Sequence, residues 1–110
     1  MPQKPITYYA QTTAVNALCQ QYGSHWQDMP KLEALTIAAA IATAIANAES
    51  DALNMLTCEC SIPYLATCDG FRFQDHNRTL TLLEQLDTEL DSSRAANLVI
   101  GIYSNINFLQ

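Results

Sequence analysis

Cys58 and Cys60 flank a single residue, Cys68 follows after seven intervening residues, and His76 after seven more. Three thiolates and one imidazole would make a closed tetrahedral zinc site. The spacing departs from standard zinc knuckles, which place two to four residues between paired cysteines. If Cys58 and Cys60 were both helical they would point roughly 160° apart and could not share one ion. Convergence therefore requires that the segment be extended or turned before Cys58. The competing reading makes Cys60 and Cys68 small core residues and Cys58 a surface residue, with His76 in a helical first turn. A third reading is an oxidation-sensitive pair such as Cys58 and Cys68.

Nucleophilic catalysis would need a thiol or hydroxyl placed by His25 or His76. No local pattern selects one pairing among four cysteines and two histidines. Phosphate chemistry lacks its usual cradle, because Gly23, Gly70 and Gly101 stand far apart and form no glycine-rich loop. A di-iron bundle site is disfavoured, since no Glu-x-x-His occurs. These patterns lead us to expect neither an enzyme nor a cofactor.

The remaining chemical feature is the acidic run Glu84, Asp87, Glu89 and Asp91. Glu84, Asp87 and Asp91 share one helical face by their i, i+3 and i+7 spacing. Acids near a helix C-terminus oppose the macrodipole by several tenths of a kcal/mol each, roughly. Such a face suits Lys or Arg of a protein partner, and its plain alternative is a solvated surface.

Eleven carboxylates against five Lys and Arg argue against nucleic acid or an anionic membrane, since both require a basic footprint. A basic protein partner is the complementary one. The first residues, Met1-Pro2-Gln3-Lys4-Pro5, lead into no apolar export segment, so a cytoplasmic location is expected. In a reducing compartment the cysteines would be thiols or ligands rather than disulfides. Residues 32–48 are too short and too often interrupted by polar residues to span a bilayer.

The elements that would position these groups follow from hydrophobic spacing. The chain has 110 residues, of which 49% are hydrophobic and 15% charged, which suits one globular domain over residues 1–110. A first helix is expected over Tyr8–Tyr22, with Thr7 capping it, Gly23 stopping it, and Tyr8, Gln11, Val15, Leu18, Cys19 and Tyr22 along one side. Pro30 suits the first turn of the next helix.

That second helix is expected over Lys31–Thr57. Ala34, Ala38, Ala42 and Ala46 form a shallow row beside the ridge Ile37, Ile41 and Ile45. Glu33, Thr36, Thr43, Asn47, Ser50, Asp51 and Asn54 share a narrow polar arc, leaving an apolar sector of about 240° that marks a buried, central helix. Its alanine row could also serve as the seam of a homodimer.

A short helix with Ser61 as cap and Pro63 in its first turn should end at Gly70. Phe71-Arg72-Phe73-Gln74 is too short for a sheet and is expected to be an extended linker whose Phe rings plug the core. Asp75 or Asn77 would cap a helix bearing Leu80, Leu82, Leu83, Leu86 and Leu90. A final helix, capped by Ser92 or Ser93, carries Ala95, Leu98, Val99, Ile102, Tyr103 and Ile106. A break near Asp91 is required, because the two stripes would otherwise face opposite ways. These two helices should form an antiparallel hairpin.

The expected architecture is all-α: a compact bundle of four main helices and one short one, centred on the long alanine-rich helix. The expected function is a protein–protein interaction or regulatory module, a homodimer with a protein partner. The alternative is a metal- or redox-responsive protein using Cys58, Cys60, Cys68 and His76.

Overall fold

The computed structural model describes residues 4–51, 62–67 and 70–106. It is an all-α bundle: α1 (Ile6–Tyr9), α2 (Thr13–Tyr22), α3 (Lys31–Asp51), α4 (Ile62–Thr67), α5 (His76–Glu89) and α6 (Ser92–Asn105). No strand occurs among the described residues.

The expected first helix is two. Ala10 is extended, and Thr12 takes an extended conformation in which its side chain accepts from the Val15 N–H at 3.1 Å. A threonine that caps a helix start competes with continuing the helix through itself. The break removes Tyr8 and Gln11 from the apolar stripe and leaves both exposed. The buried face of α2 begins instead at Ala14 and Val15 and continues through Leu18 to Tyr22. Gly23 ends α2 as expected, with its N–H on the Cys19 carbonyl.

Between α2 and α3 the chain turns tightly around Trp26, which sits at φ 57 with its ring wholly buried. Left-handed backbone costs a non-glycine residue about 1–2 kcal/mol. Burying roughly 200 Å² of indole contributes about 5 kcal/mol, so burial outweighs the strain. Pro30 lies just before α3 rather than in its first turn, and its carbonyl takes the Glu33 and Ala34 N–H groups.

Helix α3 justifies its wide apolar sector. Ala34, Ile37, Ala38, Ala40 and Ile41 are buried, Ala44 and Ile45 pack partly against the same core, and α6 and α4 lie on it. The alanine row divides along its length: Ala34 and Ala38 are inside, whereas Ala42 and Ala46 are exposed. Glu33, expected on the solvated arc, is buried at 5% exposure. Helix is described through Asp51, so Ser50-Asp51 does not end it, and the expected continuation to Thr57 lies outside the described residues.

Extended residues 71–73 act as expected: Phe73 is buried, Phe71 packs against the core, and their rings meet edge-on at 5.0 Å. Leu82, Leu83 and Leu86 of α5 are buried, and Leu80 and Leu90 flank them. Asp75 precedes α5 without a side-chain cap bond. The break at Leu90-Asp91 is present, but Asp91 rather than Ser92 or Ser93 caps α6, its Oδ1 accepting from the Arg94 N–H at 2.7 Å.

The expected α5–α6 hairpin does not form as a packed pair. Helix α5 packs on α2 and α4, whereas α6 packs on α3 and α1. Each helix takes its stripe to a different wall of one shared core. Ala95, Leu98 and Ile102 are buried as the stripe requires, but Tyr103 is turned out at 47% exposure.

Candidate functional site

Small side chains on α3 leave room beside it. Thr36, Ala39, Ala40 and Thr43 form one wall of a groove, Leu65 and Ala66 of α4 the second, and Gly70 and Phe71 its end. The space measures about 540 Å³, within the range of ligand and side-chain pockets. No charged side chain lines it among the described residues. Such a groove can take an apolar side chain or the ridge of another helix, and its described lining carries no ionisable group.

Below the groove, the segment leading into α5 is held by side chains from both directions. The Phe73 N–H donates to His76 Nδ1 at 3.2 Å, and the Gln74 N–H donates to Glu33 Oε2 at 3.0 Å. His76 also stacks on Phe73, with ring centroids 6.1 Å apart. Burial pushes the Glu33 carboxyl above its usual range, against the Gln74 N–H, which draws it down. Glu33 Oε1 has no hydrogen-bond partner among the described residues. Deeper in, the Tyr22 and Thr79 hydroxyls bond at 3.1 Å, and burial raises the phenol further than that bond lowers it.

The acidic run belongs to the fold in a way its spacing does not show. Glu89 Oε1 accepts from the Ala14 N–H at the start of α2 at 2.9 Å, and Asp87 Oδ1 accepts from the Ile62 N–H at the start of α4 at 3.2 Å. Asp91 caps α6. Three helix starts thus converge on the acidic C-terminal end of α5. Their partial positive charges offset the dipole penalty that the acids would incur there alone. Glu84 is exposed and Asp87 and Asp91 remain open to solvent on their other sides, so part of the face is still accessible to a partner.

The candidate metal ligands fall mostly beyond what the structure describes. Cys58, Cys60 and Cys68 lie outside the described residues, and His76 uses Nδ1 within its own turn. No group of three or more potential ligands forms among the described residues. Burial pushes the Cys19 thiol up, away from the thiolate a nucleophile requires, and its Sγ donates weakly to the Ser24 carbonyl. His25 Nδ1 pairs with the neighbouring Ser24 hydroxyl at 3.0 Å.

The groove escaped sequence reasoning because its walls come from three separated segments. Its one legible signal was the small residues flanking the alanine row. No helix among the described residues is long and apolar enough to cross a membrane. No protein-family model matches the chain, and no curated protein or solved structure matches it.

Proposed function

We propose that this chain is a small cytoplasmic interaction module that pairs with a second copy of itself through the groove between α3 and α4. The observation that carries the reading is the 540 Å³ groove, whose described lining is uncharged, together with exposed Ala42 and Ala46 further along α3. Small side chains let helix backbones approach closely, and Leu65 and Phe71 offer apolar walls to an inserted side chain. The low charge content also makes covering such a surface favourable.

A basic protein partner on Glu84, Asp87 and Asp91 is the companion reading. It has less support, because the capping roles of Asp87 and Asp91 already account for two of the three acids. Glu84 has no such role among the described residues and is the clean probe of that face.

Sedimentation across the micromolar range tests the main reading. The wild type should sediment as a dimer, and Ala39→Arg and Thr43→Arg should sediment as monomers with unchanged helical circular dichroism. A monomeric wild type, or arginine variants that still dimerise, would overturn it.

A further inference from the structure

The chain between α4 and α5, residues 70–74, makes no ladder of its own, so its position depends on what its amides and rings find around them. Phe73 is buried in the core. Of the amide ties among the described residues, Gly70 to the Thr67 carbonyl at 2.9 Å and Phe73 to His76 are local, whereas Gln74 to Glu33 reaches 41 residues back to the first turn of α3. At the other end Gly70 adopts φ 83, and no described atom lies within 4 Å of where its Cβ would be. Only glycine takes that conformation without strain, so the strap has a swivel at one end and a carboxyl clasp at the other.

Glu33 is an unusual clasp. An ionised carboxylate offers about four acceptor sites. Here one oxygen receives a single amide, the other receives nothing from the described residues, and the residue is only 5% exposed. Among the described residues the ionisable neighbours bring no compensating cation. Tyr22 of α2 lies within electrostatic reach of both Glu33 and Asp75, His76 begins α5, and Arg78 is directed to Gln21 Oε1 at 2.7 Å. Arg72, on the strap itself, is exposed.

We infer that strap 70–74 closes and opens with the proton on Glu33: the neutral carboxyl tolerates burial and keeps Phe73 docked, whereas the ionised one draws water in and swings the strap about Gly70. The upward push of burial on this carboxyl has the same direction. The Phe73 N–H bonds to the His76 ring rather than to Glu33, so the Gln74 amide is the clean reporter. Because Gly70 and Phe71 end the groove, opening also reshapes the surface proposed for pairing, and only this last consequence rests on that reading.

Amide hydrogen exchange by NMR, corrected for the intrinsic pH dependence of exchange, tests the clasp alongside a carbon-13 titration of the Glu33 carboxyl in the full chain. Protection of Gln74 should fall by up to about tenfold per pH unit as pH rises through the Glu33 midpoint, with Leu83 and Leu86 unchanged. In Glu33→Gln, Gln74 should stay protected and insensitive to pH. Flat protection of wild-type Gln74 through that midpoint, or loss only together with Leu83, would overturn the clasp. A Glu33→Gln protein whose Gln74 still follows pH would also overturn it. Should that variant not fold, the wild-type profile decides alone.

Discussion

The Ala14 N–H and Glu89 Oε1 meet at 2.9 Å across 75 residues of chain, closing the start of α2 with a carboxylate from the end of α5. Gln85 Nε2 donates to the other oxygen at 2.8 Å, so the carboxylate is held from both sides. Helix starts leave N–H groups without partners, and an acid supplied from elsewhere in the chain satisfies one while opposing the local positive field.

Removing this bond should loosen α2 without dissolving the fold. Glu89→Ala is expected to cost about 1 kcal/mol, the usual scale of a lost helix cap. Urea unfolding should show a lower midpoint at unchanged slope, and an unchanged midpoint would make the bond energetically idle.

Glu33 and Glu89 should tilt the pH dependence of stability in opposite senses. The Ala14 N–H holds Glu89 below its ordinary 4.5, so its contribution is full above 4.5 and is lost as pH falls through the lowered folded value. Burial holds Glu33 above 4.5, so the folded protein keeps a proton that the unfolded chain has released. That contribution is full below 4.5 and is lost as pH rises through the raised folded value. Thermal melts across the acid range should therefore show Glu33→Gln and Glu89→Gln changing the slope with opposite signs. Changes of the same sign would contradict these assignments.

At Gly101, α6 lies close against Tyr9 of α1. A Cβ built there would stand 2.6 Å from the Tyr9 ring. Gly101→Ala should destabilise by about 1–3 kcal/mol through overpacking. Adding Tyr9→Ala should recover part of the loss, because the two changes share one clash; strictly additive energies would show that the ring moves aside freely.

Trp26 is the sole tryptophan and lies fully buried. Its fluorescence should be blue-shifted and resist acrylamide until unfolding. Trp26→Ala should cost about 3–5 kcal/mol, because alanine keeps the Cβ that strains φ 57 and discards the ring that offset it. A mild loss would show that the turn, rather than the indole, holds the segment.

Much of the helical layout was legible because helical neighbours lie three or four residues apart. The spacing of Leu83 and Leu86, of Leu98 and Ile102, and of Ile37 and Ile41 each marked a buried face. The same reasoning failed at Thr12, where apolar spacing ran across a residue whose side chain caps a new start. It also failed at Tyr103, which stands on the stripe yet is 47% exposed.

By itself the sequence determined that the chain would be helical, that Lys31 onward would form an inner helix, and that a break must fall near Asp91, since each follows from local periodicity. Tertiary structure alone decided that Glu33 is buried beneath the Gln74 amide, that Glu89 and Asp87 close the starts of distant helices, and that α5 and α6 diverge. A hydrogen bond across 41 or 75 residues depends on the path of the whole chain, and no pattern within a few helical turns carries that information.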